Sequence, residues 1–212
     1  NNLFAKGKIP VAAGGSGLYV KALTEGIFQD IDTDPDYRLS LKKILEAEGK
    51  DRLYEILKQT DPLAAGIIHP SSWKRVIRAL EVFRLSGKSI VIHQEKYKRE
   101  SDIEFIEFGL RWNRQTLYNN IEKRVDEMLE RGLVKEMESI LAMGYNPELN
   151  SLNTVGYKEI YSYLSGSINM DEAVRLIKRN TRRYAKRQMT WFNASEKIRW
   201  IDIDTPESIE KA

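Results

Sequence analysis

Hydrophobic positions along this chain follow two periods, and the change from one to the other marks its organisation. A short apolar run over Ile9–Ala13, followed by "GGSG" and then "LYVKALTEG", predicts a buried strand, a glycine-rich turn and a helix that stops at Gly26. From about Asp32 to Arg99 the apolar spacing is mainly helical. Asp34, with Pro35 at the first helical position, opens a helix that Gly49 ends. "DRLYEILKQT" is another helix, closed by Asp61-Pro62, and Ser71 or Ser72 caps "WKRVIRALEVFRLSG", which Gly87 terminates. "IEFIEFGLRW" returns to strand character. Helices are predicted at about 115–131, 133–143, 154–165 and 170–191, and "KIRWIDID" is a late strand. Few strands among many helices predict an α/β core interrupted by a helical subdomain, mostly helical overall.

Composition removes several classes. The 212 residues, 42% of them hydrophobic, are enough for a packed core. The absence of Cys excludes disulfides and thiolate metal sites. No apolar run approaches the ~20 residues of a membrane span, and no signal peptide is visible. The chain lacks an initiator Met and opens almost directly on the predicted strand, which reads as a piece cut from a longer chain. A formal net charge of +3 is too small to identify a partner, so the distribution of charge decides.

That distribution is uneven in "TRRYAKRQMTWF". At about 100° per residue, Val174, Ile177, Thr181, Tyr184, Gln188 and Trp191 share one arc of the predicted helix. Arg175, Lys178, Arg179, Arg182, Arg183 and Lys186 share the opposite arc, with Arg187 at its border. An ordinary solvated face carries acids three or four residues from its cations. Only Arg175 has them, in Asp171 and Glu172; the six later cations have none within the helix. A polyanion, RNA backbone or pyrophosphate, explains such a face. Gln188 lies on the apolar arc, where its amide requires partners and suits either a structural hydrogen bond or a pocket lining.

Other stretches carry weaker signals. The turn at Gly14, Gly15 and Gly17 suits either an anion at a helix N-terminus or a tight connection. "GKSI" at 87–90 is not a phosphate-cradling loop, since Val82 stands where that loop needs Gly. Arg75 and Arg78 form a second basic pair, opposed only by Glu81. His69 and His93 have no metal-ligand neighbours at helical spacing, so capping or surface roles are expected. Tyr157, beside Gly156 and Lys158 at a helix entry, suits burial or stacking on a base.

Taken in order, "GGSGLYVKAL", "RVIRALEVFRLSGKSI", "LYNNIEKRVDEMLERGLVKE", "VGYKEIYSYLSG" and "TRRYAKRQMTWF" resemble the tRNA dimethylallyltransferases, also called tRNA isopentenyltransferases, over essentially the whole chain. The resemblance implies a P-loop-kinase-like α/β core, lacking its first strand and P-loop in these residues, with an inserted helical domain. Residues 1–31 and 100–212 would form the partial core, and residues 32–99 the insertion that contacts tRNA. The implied activity is transfer of a dimethylallyl group from dimethylallyl diphosphate to N6 of the adenosine 3′ of the anticodon. It would be Mg²⁺-dependent, on a flipped base, in a cytoplasmic and monomeric enzyme without a membrane partner.

The resemblance also carries residue roles. Ser16 stands where the family usually has Thr and would line the channel near the base, touching both tRNA and substrate. Arg38, Arg75 and Arg78 would touch tRNA, as would Arg179, Arg182 and Arg183. Gly156, Tyr157 and Lys158 would lie near the substrates. Lys186, Arg187, Gln188, Thr190 and Trp191 match "KRQxTW", associated with tRNA and diphosphate contact, Arg187 and Gln188 on the substrate side. Asn193 stands where the family usually has Arg. The family's P-loop, its Mg²⁺ site and the general-base Asp would lie upstream of "IPVAAGG", so none of these residues is expected to be catalytic and the chain by itself is expected to be inactive. The alternatives are a non-catalytic tRNA-binding module and a small-metabolite kinase on the same core. The kinase would leave the paired basic helices unexplained.

Overall fold

A computed structural model of the chain describes residues 3–28, 31–96 and 103–203. It divides into two compact units, residues 1–104 and 105–212. The expected junction at residues 99 and 100, between the insertion and the second core segment, lies outside the described residues.

The first unit is helical. Helix α1 spans Gly17–Thr24, α2 Pro35–Thr60, α3 Pro62–Ala65, α4 Trp73–Ser86 and α5 Ile90–Lys96. Local chemistry sets most of these ends. The Asp34 side chain accepts from the Tyr37 N–H at 2.9 Å, capping α2 with Pro35 at its first position. Gly49 has φ +85° inside α2 and breaks the helix there, so the predicted stop is a kink between two helical halves. Gly87 ends α4 at φ +66°. Ser72 occupies the N-cap of α4 without a side-chain capping bond, while the Ser71 hydroxyl meets His69 Nδ1 at 2.8 Å.

Packing follows the predicted faces. Leu41, Leu53 and Leu57 of α2 meet Val76, Ile77, Ala79, Leu80 and Val82 of α4 in one buried cluster. Each large side chain contributes about 1.5–3 kcal/mol on full burial. One charge lies within this apolar layer. Glu81 is fully buried, and its carboxylate accepts from the Asp34 N–H and the Arg38 Nη2, each at 2.8 Å, and from Arg78 Nη1.

The predicted strand at Ile9–Ala13 does not form. These residues carry no regular secondary structure, and Ile9 and Val11 are 86% and 89% exposed. An apolar run becomes a strand only beside a partner ladder that takes up its N–H and C=O groups, and no described strand offers one here. The following helix forms as expected, with Ser16 at its N-cap and Gly26 at φ +83° beyond its end.

The second unit is α/β in its order. Strand β1 (Glu107–Trp112) is followed by α6 (Arg114–Glu130), α7 (Leu133–Ala142), α8 (Tyr157–Leu164) and α9 (Met170–Phe192), then by β2 (Ile198–Ile203). The strands pair in parallel, Glu107 opposite Ile198 through Trp112 opposite Ile203. A parallel pair needs a long crossover, which the four helices supply. The core gathers Val125, Leu133, Met137, Leu152, Ile160 and Ile177. Gly109 sits opposite Trp200, and a Cβ built there would lie 2.7 Å from the indole ring and 2.9 Å from Ile198 Cγ2.

Two predictions follow from these packings. Gly109→Ala drives a methyl into the Trp200 ring and lowers stability by about 1–3 kcal/mol in urea denaturation. Trp200→Leu in the same chain recovers part of the loss, and no recovery would remove the ring as the cause. For Glu81, burial alone pushes the carboxyl up, but the hydrogen bonds from Arg38, Arg78 and the Asp34 N–H outweigh it and hold the carboxyl below its ordinary value of 4.5. Its folded value is therefore depressed, so its stabilisation is complete above the unfolded value and is lost as pH falls through the folded one. Glu81→Gln should cost about 1.5–3 kcal/mol at pH 7, and the gap to the parent chain should narrow as pH falls below the ordinary glutamate range. A gap that stays constant with pH would show that the Glu81 charge is not what holds this layer.

Candidate nucleic-acid interface

Helix α9 is built as two different halves. Its start is fixed by Asn169, whose side chain accepts from the Glu172 N–H at 2.9 Å. In the first half Ala173 and Ile177 are buried against the core of the second unit. In the second half the expected apolar arc does not stay covered: Tyr184 is 44% exposed and Trp191 42% exposed. Gln188 of the same arc is half-buried, so the predicted stripe is only partly covered in this half.

The cations of α9 are also not all without acids. Arg175 is held by Glu172 of its own first turn, with Nε and Nη2 at 2.7 and 2.6 Å from the carboxylate. Lys178 Nζ lies 2.7 Å from Asp126, and Arg182 Nη1 lies 2.5 Å from Glu122, both acids on α6. The reading that six later cations lack partners holds within the helix and fails in three dimensions for two of them. Glu122 and Asp126 are four residues apart on α6, as Lys178 and Arg182 are on α9, so two turns of opposite charge face each other. That matched spacing was present in the sequence, and it identifies two residues that local reading passed over.

Subtracting these pairs leaves a sorted surface. Arg183, Lys186, Arg187 and Thr190 are exposed. Arg183 and Lys186 make no ion pair among the described residues. The Arg187 guanidinium lies over the Tyr184 ring, 5.7 Å from its centroid. Arg179 is half-buried, its Nε 3.4 Å from the Asn180 side-chain oxygen. Gln188 is half-buried and Thr190 donates to the Lys186 carbonyl at 3.0 Å.

Beside this helix stands the segment that begins α8. Gly156 has φ +106°, a backbone setting that an L side chain resists, so the predicted start at 154 moves to Tyr157. Glu159, 3% exposed, accepts from the Gly156 N–H at 2.8 Å and from the Asn180 Nδ2 of α9 at 2.8 Å. Lys158 Nζ lies 3.7 Å from the same carboxylate. The Tyr157 hydroxyl donates to Glu136 of α7 at 2.7 Å, and its ring packs against the core. The hydrogen bond to Glu136, then burial, raise the Tyr157 hydroxyl above its ordinary value. Glu159 and Asn180 were absent from the residues expected to matter.

In the first unit, Arg38 and Arg78 converge on the Glu81 carboxylate, and Arg78 also donates to the Ile31 and Asp32 carbonyls at 2.8 and 3.1 Å. Arg75 is exposed on the same helix. The Ser16 hydroxyl makes no capping bond, and its carbonyl accepts from the Val20 N–H at 3.0 Å. Among the described residues, no group of three or more carboxylate or imidazole side chains is placed to hold a metal ion. No described helix is long and apolar enough to cross a membrane.

Comparison with known proteins gives this arrangement a context. Residues 1–195 match the profile of a family described as IPP transferase. A tRNA dimethylallyltransferase of Lachnoclostridium phytofermentans is 44% identical over 201 residues, 94% of this chain and 64% of the relative. Another, of Acetivibrio thermocellus, is 45% identical over 213 residues, 100% of this chain and 68% of the relative. The crystal structure of the full-length tRNA isopentenylpyrophosphate transferase of Bacillus halodurans aligns with 99% of this chain and 66% of its own, at a TM-score of 0.63 and 37% identity. The chain thus spans about two thirds of the length of the curated relatives it matches. With a profile match over residues 1–195, the chain belongs to the IPP transferase family.

Proposed function

We propose that these residues serve transfer of a dimethylallyl group from dimethylallyl diphosphate to N6 of the adenosine 3′ of the anticodon in tRNA. The observation that carries this reading is the sorted cationic face of α9, where Arg183, Lys186 and Arg187 remain turned to solvent after Lys178 and Arg182 are neutralised by α6. Family membership and the names of the relatives support the chemistry.

In the proposed reaction the N6 lone pair attacks the allylic carbon, the carbon–oxygen bond to diphosphate breaks, and N6 gives up a proton. The described residues bind and orient. Arg187 and Gln188 face the departing diphosphate, and Arg179, Arg183, Lys186, Thr190 and Trp191 meet the RNA, with Arg182 a lesser contributor because Glu122 already holds it. Ser16 offers a hydroxyl not spent on its helix cap to the base. Arg75 offers a further RNA contact on the first unit, and Arg38 and Arg78, like Arg182, are lesser contributors because Glu81 already holds them. The Gly156–Lys158 segment frames the substrates.

The larger frame belongs to the same proposal: a P-loop-kinase-like core from residues 1–31 and 100–212, an insertion at 32–99, and a monomeric cytoplasmic enzyme. The 212 residues contain no G-x-x-x-x-G-K-[ST] motif. Diphosphate cradling, Mg²⁺ and proton removal are therefore assigned to groups outside these residues. By themselves these residues act as the tRNA-binding module.

Two outcomes test this. In titrations of an anticodon stem-loop at increasing salt, Arg183→Ala should lower the slope of log K against log salt by about 0.7–0.9. Arg182→Ala should lower it by clearly less, since its charge already faces Glu122; equal slopes for both would show that the ion pair does not sort these cations. In nucleoside mass analysis, the 212-residue chain with tRNA and dimethylallyl diphosphate should give no modified adenosine. The same chain fused behind the P-loop segment of a relative should give N6-dimethylallyladenosine. Prenylation by the unfused chain would refute the assignment of chemistry elsewhere, and a soluble fusion that binds tRNA but modifies nothing would refute the transfer itself.

A further inference from the structure

A single buried carboxylate connects the Gly156 segment to the basic helix. Glu159 Oε2 accepts from the Gly156 N–H, and its Oε1 accepts from Asn180 Nδ2, each at 2.8 Å. The Asn180 amide is used at both ends, because its oxygen lies 3.4 Å from Arg179 Nε. Lys158 Nζ sits 3.7 Å from Glu159 Oε1. The result is a continuous polar chain: Lys158 and the Gly156 N–H meet Glu159, Glu159 meets Asn180, and Asn180 meets Arg179. Its two outer members are cations on different helices, and Lys158 keeps much of its side chain in solvent.

A buried acid has reason to be there beyond capping. The buried Gly156 N–H uses only one of the two oxygens. The second oxygen reaches across to α9, and a long-range bond of this kind fixes register between two elements. We propose that Glu159 and Asn180 are positioning residues that hold Lys158 and Arg179 as a two-cation clamp for one phosphate group. This rests on the anionic-ligand reading above and adds the residues that set the clamp's geometry. The phosphate can belong to the RNA backbone or to a free diphosphate, since both present oxygens to paired cations.

The test uses the 212-residue chain with two probes, an anticodon stem-loop RNA and inorganic diphosphate. Binding is measured alongside a thermal melt, so affinity is read well below the transition. Asn180→Ala should weaken one probe about 3- to 10-fold. Loss confined to the stem-loop assigns the clamp to RNA, and loss for diphosphate assigns it to the leaving group. Glu159→Gln alone should do the same, because its amide cannot accept from both donors. The double variant Glu159→Gln with Asn180→Asp restores complementary donors and acceptors and should recover affinity; a loss in the single variants that appears only where the melt shows partial unfolding would mark a structural defect and overturn the clamp. Arg183→Ala serves as the control for the anionic face. If it weakens stem-loop binding while Asn180→Ala and Glu159→Gln leave both probes unchanged, the clamp is wrong and the reading of the face survives. If the parent chain binds neither probe, both fall.

Discussion

A helix with seven cations and no acid between Arg175 and Arg187 repels itself at each turn, by a few tenths of a kcal/mol for each like-charged neighbour. The second unit depends on how that repulsion is relieved. Glu172 takes Arg175, and the α6 pair Glu122 and Asp126 takes Arg182 and Lys178. These pairs are partly exposed, so their energy is modest, but their placement has a consequence that area burial does not. They fix which side of α9 faces α6. Of the cations not used in that docking, Arg183, Lys186 and Arg187 are exposed, and Arg179 is half-buried beside Asn180. The surface available to an anion is the remainder left by helix packing, and it is more compact than the wheel of the isolated helix.

The two units use buried acids in the same way. Glu81 accepts from the N–H of Asp34, the N-cap of α2, and also binds Arg38 and Arg78. Glu159 accepts from the N–H of Gly156, the N-cap of α8, and also binds Asn180. In each case the carboxylate sits at the positive end of a helix, where its charge is favoured. Part of the remaining capacity goes to another element: Arg38 of α2 for Glu81, which also binds Arg78 of its own α4, and Asn180 of α9 for Glu159. Burying a carboxylate is costly unless several donors converge on it, and both sites meet that condition. The arrangement converts helix capping, a local device, into long-range orientation of cationic or amide side chains.

Much of this was legible from residues and spacing, and the failures share one origin. Asp34-Pro35, Gly49 and Gly87 act through their own backbone or their nearest neighbours, so each left a readable mark. The helices of the second unit and both of its strands were readable from period alone. What could not be read depends on groups distant in sequence. Ile9–Ala13 has strand composition, but a strand is a relation between two segments. The acids that neutralise Lys178 and Arg182 lie 52 and 60 residues away on α6. The roles of Glu159 and Asn180 emerge only when α8 and α9 touch, although their polar character at helix-facing positions was visible. Tyr184 and Trp191 lie on the predicted apolar arc yet are exposed, because periodicity locates a face without saying whether anything covers it.

That last point separates two functions along one helix. The first half of α9 buries Ala173 and Ile177 and has Arg175, Lys178 and Arg182 in ion pairs, so its side chains hold the unit together. The second half presents exposed Tyr184 and Trp191 among Arg183, Lys186 and Arg187. Exposed rings beside cations suit a nucleic acid, which offers both phosphates and stackable bases. Leaving a large aromatic in water forgoes burial energy that a core position would have supplied. Its persistence there makes sense if the ring acts on a ligand. Under the proposed function, stability and binding are then carried by successive turns of the same element. A binding defect from Arg183 or Lys186 should leave the fold intact, because these side chains are exposed and make no ion pair among the described residues.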